Sequence, residues 1–363
     1  MNILHIGDIR NLQQSGVCFV VPQHLESQSN FANVALFNLN GYDPRTADMN
    51  YPLYRSSEYN TKIGNLPAPY NNPDLVVFHE VYRPSFARLS MELNKRKIPY
   101  IVVPHSSLTD NSQNTKKIKK KLGNFLLFSR FIKNAAAIHY LSDFEKKSSS
   151  KWKTKSFIFS NGMVLPKVKK ESFSKQGLKL IYVGRLDIGQ KGLDTLLHSA
   201  SLITNQMIKN KIEITIAGTD HENNKLELKN LIKKYNLKKV VHLKNAVFGD
   251  QKINLLLEQD CFIQLSRSEG QPMGMLEAMG LGLPPIATEG TSLKEIISKH
   301  NLGFVVEDDP KIIAETILSI FNNKKLLPQY SHNSRNYISK YHNWDYIGRT
   351  TVEYYSKYTK KTY

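Results

Sequence analysis

The segment Glu269-Gly-Gln-Pro-Met-Gly-Met-Leu-Glu277 holds two carboxylates separated by seven residues. It follows an apolar run ending at Ser266 and leads into small residues through Ala278 and Met279, the pattern of a strand running into a helix. Gly270 and Gly274 permit close backbone approach, and Pro272 suits a helix's first turn. The amides of that turn, at Met273 and Gly274, offer a site to a diphosphate. Glu269, in the loop, can accept hydrogen bonds from sugar hydroxyls; Glu277, about two helical turns further on, can accept them from a ribose. Singly, each carboxylate reads as a solvated side chain or a partner of the helix dipole. Their joint placement between a strand and a helix selects a ligand site.

A second group lies upstream, where Tyr182-Val-Gly-Arg185 is followed by Lys191-Gly192. Arginine offers a planar fork to phosphate oxygens and lysine a point charge, and both are expected at the carboxyl end of a strand.

These residues need a scaffold, and the pattern around them supplies one. Short β-branched and apolar runs at 2–7, 34–39, 75–80, 100–105, 136–141 and 156–161 alternate with helical patterns. A second series, 178–184, 213–218, 240–243, 261–266, 285–288 and 303–306, begins after a polar, lysine-rich segment at 164–176. Parallel strands need crossover helices, so two successive series imply two doubly wound α/β domains joined near Leu165. A ligand is then expected at the carboxyl ends of the strands, in the cleft between domains.

A length of 363 residues fits two domains better than one. Cys18 and Cys261 are far apart and in no metal or redox spacing, which suggests a reducing compartment. The N-terminus MNILHIGDIR lacks a signal-peptide pattern, and no apolar run approaches the roughly 20 residues that span a bilayer. Neither secretion by that route nor a membrane span is expected.

The net charge of +19 calls for an anionic partner. Between Lys95 and Lys175 there are 19 Lys and Arg against 4 Asp and Glu, most of the excess. Residues 116–136 read as an amphipathic helix, with five lysines near its start and Ile118, Leu122, Phe125, Leu126, Ser129 and Ile132 on one face. It is either a domain helix with a solvated lysine face or an interfacial helix drawn to anionic lipid. The basic stretch has no recognisable nucleic-acid-binding motif, so nucleic acid is not expected as a partner.

The Glu269 to Glu277 segment resembles the retaining glycosyltransferases of family 4, whose sequences carry a Glu, seven residues and a second Glu in this setting. The resemblance covers nearly the whole chain, with its specific motifs between Tyr182 and Glu295. It implies the GT-B fold: an N-terminal Rossmann-like acceptor-binding domain at 1–164, a C-terminal Rossmann-like nucleotide-sugar-binding domain at 165–340, and a helix at 341–363 crossing back to the first domain. In that fold Arg185 and Lys191 hold the donor diphosphate. Upstream, Pro99-Tyr-Ile-Val-Val-Pro-His105-Ser-Ser-Leu108 and Ala135-Ala-Ala-Ile-His-Tyr-Leu-Ser142 look like a subgroup acting in bacterial surface-polysaccharide assembly. His105 would be the donor-facing histidine, although Ser106 stands where members often have glycine. The family's glycine-rich turn after the first strand is represented only by Ser15-Gly16-Val17, which makes Gly16 a donor-site candidate.

The resemblance implies transfer of a sugar from a nucleotide-diphosphate-sugar to a saccharide or lipid-linked acceptor, at the inner face of the plasma membrane. A glycosidase needs two carboxyl groups across the scissile bond. Here Glu269 would bind the transferred sugar and Glu277 the ribose, and leaving-group charge would be met by Arg185, Lys191 and helix-start amides. The leaving phosphate could take the acceptor's proton, giving retention without a covalent intermediate. No cofactor or metal is expected, because the sequence has no Asp-x-Asp pair and no zinc spacing. The alternatives are a phosphorylase or nucleotide-sugar epimerase on the same architecture, or a non-catalytic basic protein that binds membrane or nucleic acid.

Overall fold

The computed structural model describes residues 1–10, 16–47, 49–115, 117–220 and 222–359. Ser15 and Lys116 therefore lie outside the described residues. The chain divides into two compact units, residues 1–162 with the segment from His342 onward, and residues 163–341. The first division falls two residues before the boundary expected at 164.

The first unit is a seven-stranded parallel sheet of β1 (Asn2–Gly7), β2 (Asn33–Asn38), β3 (Leu53–Arg55), β4 (Leu75–His79), β5 (Tyr100–Val103), β6 (Ala137–Tyr140) and β7 (Ser156–Ile158), in the order β3-β2-β1-β4-β5-β6-β7. Helices cover both faces, so the strands are apolar on both sides. Leu4, Ile6, Val76 and Phe78 enter one core, while Ile3, Leu75, Val77 and Ile101 enter the other. The second core is closed by the helices Gly16–Ser29 and Trp344–Ser356.

The second unit is a six-stranded parallel sheet of β8 (Leu178–Val183), β9 (Ile212–Ala217), β10 (Val241–Lys244), β11 (Cys261–Gln264), β12 (Pro285–Ala287) and β13 (Phe304–Val305), in the order β10-β9-β8-β11-β12-β13. Because β8 and β11 are neighbours in parallel register, the loops after them emerge side by side.

Several expected runs overreach at their carboxyl ends. The run 100–105 stops at Val103, since Pro104 has no amide to donate and His105 is left-handed, with φ 47°. The C-terminal helix expected at 341–363 starts three residues later than that. Leu327–Tyr341 ends in the second unit, and a new helix begins at Trp344, capped by the Asn343 side chain, which accepts from the Tyr346 amide at 2.8 Å.

The amphipathic helix needs a larger correction. It runs as Lys117–Gly123 and Ser129–Lys133 with a π-helical segment, Asn124–Phe128, between them. The π turn shifts the phase of the apolar stripe, so its residues do not share one fate. Phe128, Phe131 and Ile132 are buried, whereas Ile118 and Phe125 are 85% and 86% exposed and Leu122 and Leu126 are exposed with them. Among the described residues no helix is long and apolar enough to cross a membrane.

Candidate functional site

In the second unit the loop after β8 carries Arg185 and the turn ending at Lys191. The Tyr182 hydroxyl donates to the Arg185 carbonyl at 2.7 Å, and burial holds the Tyr182 phenol far above its ordinary range. The Arg185 guanidinium donates to Gln190 Oε1 at 2.6 Å and lies 3.5 Å from Asp187. Asp187 caps the short turn Ile188–Lys191 by accepting from the Gln190 amide at 2.9 Å. The turn ends at Gly192, whose φ of 65° suits glycine and whose missing Cβ leaves room for the Leu265 carbonyl after β11. That close approach brings Lys191 to Glu269.

Glu269 is buried, and three side-chain donors converge on its Oε1. Its carboxylate accepts from Lys191 Nζ in an ion pair, from Gln264 Nε2 at 3.0 Å and from the Ser266 hydroxyl at 2.9 Å, and its carbonyl accepts from the Ser292 hydroxyl. Arg267 ties the same loop down through Asp194 at 3.0 Å and Asp308 at 3.1 Å, and its amide donates to the Gln190 carbonyl.

The helix Met273–Leu281 begins one residue after Pro272, which sits at the N-cap. Its Met275 and Leu276 amides both donate to the Pro272 carbonyl, and the Met273 amide donates to the Gln271 carbonyl. Of the two first-turn amides expected to face a diphosphate, that of Met273 is thus already engaged. A Cβ on Gly274 would stand 2.8 Å from the Val183 carbonyl, so this glycine seats the helix start against the end of β8. Glu277, half-buried on that helix, accepts from Lys252 of the neighbouring helix Gly249–Leu257 in an ion pair.

In the first unit, His105 follows β5. Both His105 and Ser106 are left-handed, with φ 47° and 67°, so the serine adopts the backbone that glycine would. The strained turn is fastened by Glu145, whose carboxylate accepts from the Ser106 amide and, at 2.7 Å, from the Leu141 amide. Glu145 is wholly buried, and that burial lifts its carboxyl to about 7. His105 Nε2 lies 3.3 Å from His79 Nδ1, and burial pushes the His105 imidazole down to about 3. Gly16 opens its helix in the exposed layer with open space where a Cβ would stand, so no steric demand fixes glycine there.

Sequence reasoning missed the partners. Lys252 and Glu145 come from other elements than the residues they hold, and Gln264 and Arg267, though close to Glu269 in sequence, carry no local motif. It also missed a charged group at the carboxyl ends of β1 and β4. There Asp8 pairs with Arg10 at 2.9 Å and Arg83 at 2.8 Å, and Arg83 pairs with Glu80 at 3.3 Å. The hydrogen bond from Arg10 chiefly holds the Asp8 carboxyl low, while burial raises that of Glu80, whose φ is 80°.

Residues 166–337 match the family model described as Glycosyl transferases group 1. The match falls on the unit that carries Arg185, Lys191, Glu269 and Glu277. The chain is 26% identical over 153 residues to the GDP-mannose:cellobiosyl-diphosphopolyprenol alpha-mannosyltransferase of Xanthomonas oryzae, covering 42% of this chain and 39% of that protein. It is 26% identical over 182 residues to the capsular polysaccharide biosynthesis glycosyltransferase CapM of Staphylococcus aureus, covering 50% of this chain and 46% of that one. The matched segments thus span less than half the length of these two relatives. HepE of Anabaena, solved in complex with UDP-glucose, superposes with a TM-score of 0.73 over 98% of this chain and 100% of that one, at 15% identity. The fold is GT-B, as the strand pattern and the resemblance together predict. The matched segment is thus similar to group 1 glycosyltransferases, among them proteins named for mannosyl transfer and for capsular polysaccharide biosynthesis.

Proposed function

We propose that this chain is a retaining glycosyltransferase of family 4 that moves a sugar from a nucleotide-diphosphate-sugar to a saccharide or lipid-linked saccharide, in the synthesis of a bacterial capsule, O-antigen or exopolysaccharide. One observation carries the reading: two cations, Arg185 and Lys191, and two carboxylates, Glu269 and Glu277, follow the carboxyl ends of the adjacent strands β8 and β11. Ligands of doubly wound sheets bind at such ends. The reading is supported by a similar protein named for a GDP-mannose donor and a cellobiosyl-diphosphopolyprenol acceptor, and by a structural neighbour solved with UDP-glucose.

In this reading Glu269 takes hydroxyls of the transferred sugar, Glu277 the ribose, and the Gly270 and Gly274 backbone lies along the diphosphate between them, with Met273 and Pro272 forming the turn. The bond from the anomeric carbon to the phosphate oxygen breaks as the bond to the acceptor oxygen forms on the same face, and the departing phosphate receives the acceptor's proton. Arg185 and Lys191 meet the charge that develops there, the task a divalent ion would otherwise perform. His105 accepts from a substrate hydroxyl, and Gly16 lies in a segment assigned to the donor phosphate or acceptor.

The exposed end of the basic helix supports an anionic membrane surface as partner, with the enzyme peripheral on the cytoplasmic face. Ile118, Leu122, Phe125 and Leu126 are exposed beside Lys117, Lys119 and Lys121. Apolar anchors among lysines suit an acyl boundary under anionic headgroups.

The test is a thermal-shift panel of nucleoside diphosphates and their sugars with and without Mg²⁺, followed by product analysis with the matching donor. A donor that binds only the folded state raises the melting temperature by mass action. The reading expects one nucleotide to shift the protein without metal, nucleoside diphosphate release that needs acceptor, and an unchanged anomeric configuration in the product. Inversion at the anomeric carbon would overturn retention, and release that requires Mg²⁺ would overturn metal independence. No acceptor-dependent transfer with any donor would overturn the whole.

A further inference from the structure

The face of the first sheet that carries Ile3, Val77 and Ile101 also carries five histidines, four of them buried and His105 half-buried, which is unusual company for a core of this kind. His5 lies within β1, His79 at the end of β4, His105 after β5, His139 in β6 and His24 in the helix Gly16–Ser29. Three of them form a file. His5 Nδ1 is 2.9 Å from His79 Nε2, and His79 Nδ1 is 3.3 Å from His105 Nε2. The inner end of the file is Gln28, whose Oε1 is 2.8 Å from His5 Nε2 and whose Nε2 is 2.9 Å from the Thr351 hydroxyl and 3.0 Å from His24 Nε2.

The polarity of the file follows from the bond that the Thr351 hydroxyl makes within its own helix. The Thr351 hydroxyl donates back to the Ile347 carbonyl at 2.7 Å, so toward Gln28 it can only accept. The Gln28 amide must therefore turn its NH₂ to Thr351 and its oxygen to His5. An oxygen can only accept, so His5 carries its proton on Nε2 and offers Nδ1 as a lone pair. That lone pair accepts from His79 Nε2–H, and His79 Nδ1 in turn accepts from His105 Nε2–H. At the outer end, Nδ1 of His105 is left as an acceptor. Burial agrees with neutral rings throughout, holding His5 at about 3 and His79 well below its ordinary value.

We propose that Thr351, on the C-terminal helix Trp344–Ser356, and Gln28 are positioning residues for His105: through His5 and His79 they fix its ring as the Nε2–H tautomer, so that Nδ1 is an obligate hydrogen-bond acceptor. Such a group takes a proton from a hydroxyl and rejects a second acceptor, which suits recognition of a sugar alcohol. The consequence for turnover rests on the substrate contact given to His105 above; the tautomer itself does not.

The experiment uses the full chain labelled with ¹⁵N at the histidine rings. Long-range ¹H–¹⁵N spectra separate a protonated ring nitrogen from a bare one. At neutral pH, His5, His79 and His105 are expected as Nε2–H and His24 as Nδ1–H. Thr351→Val releases the Gln28 amide to turn and is expected to populate the second tautomer at His105, 246 residues away in sequence; Thr351→Ser restores the wild-type spectrum. Gln28→Leu is a second route to the same change. A charged or Nδ1–H His105 in the wild type overturns the proposal, as does an unaltered His105 in both folded variants. With the tautomer mixed, kcat is expected to fall about tenfold at unchanged donor affinity, the factor for one hydrogen bond. If the spectra change as expected while kcat does not, the tautomer file stands and the substrate role of His105 falls.

Discussion

Lys252 and Glu277 form an ion pair across two helices of the second unit, and each is about three-quarters buried. A carboxylate assigned to a ribose is thus held by a cation from outside its own motif. Removing Glu277 as Ala is expected to raise the dissociation constant of the nucleoside diphosphate by about 10- to 100-fold, the range for a hydrogen bond to a charged group. Lys252→Ala should raise it by less, since the carboxylate remains and loses only its anchor. Titration calorimetry with the cognate nucleotide measures both.

Glu269 is expected to behave differently. With Lys191, Gln264 and Ser266 all donating to one carboxylate, it is oriented before any sugar arrives. Glu269→Ala should lower kcat by about 100-fold or more while nucleoside diphosphate affinity changes little. Gln264→Leu, which removes one support and no substrate contact, should lower kcat by less. Steady-state kinetics beside direct binding separates the two effects.

The turn that carries His105 depends on Glu145. Glu145→Leu leaves the Ser106 and Leu141 amides without an acceptor, and a loss of about 1–3 kcal/mol of stability is expected. Ser106→Gly should partly restore it, because glycine takes φ 67° without strain. Denaturant melts of the single and double variants check this.

Six histidines, five of them buried, set a pH dependence for the first unit. Burial holds His5 and His105 at about 3, His139 and His342 at about 4, and His24 and His79 well below their ordinary value. Their folded values lie below the unfolded value of 6.5, so the stability they contribute is complete above that pH and is lost as the pH falls toward 3 to 4. Glu145 acts oppositely, since its raised value favours the folded state most below 4.5 and least above about 7. The histidines outnumber it, and the melting temperature should rise with pH from 4 to 6.5. Proton uptake on unfolding at pH 5, measured by calorimetry in two buffers, should be about five once the proton released by Glu145 is subtracted.

The exposed apolar end of the basic helix gives the last prediction. Ile118→Asp with Phe125→Asp should abolish binding to anionic vesicles without lowering the melting temperature, since both side chains stand in solvent. Neutralising Lys117, Lys119 and Lys121 should weaken binding by about 1 kcal/mol each and flatten its salt dependence. Vesicle sedimentation at two salt concentrations reads both.

Twelve of the strands were legible because buried parallel strands are apolar on both faces and stand out as runs. The three-residue β3 was not, for Leu53–Arg55 is too short to show a pattern. The site's motif residues were legible because a strand, a glycine turn and a helix lie together in sequence. Their supports were not: Lys252 reaches Glu277 from 25 residues away and Gly192 meets Leu265 from the next strand, contacts that only the sheet order creates. The break in the amphipathic helix was hidden for another reason. A π turn adds a residue to the repeat, and a reading at a spacing of three and four carries the stripe straight through it.

The first unit is discontinuous in the chain, interrupted after Gly162 and resumed at His342. On the ribosome this imposes an order of assembly. Gln28, His24 and His139 emerge early, but Thr351 and Tyr355, which hydrogen-bond to them, follow only after the whole second unit has been made. At about 5–20 residues per second the roughly 180 intervening residues take on the order of ten to forty seconds. For that interval the nascent first sheet has a polar seam open on one face, a place where a chaperone can hold it, and the second unit can finish folding before the helix that closes the first has been synthesised.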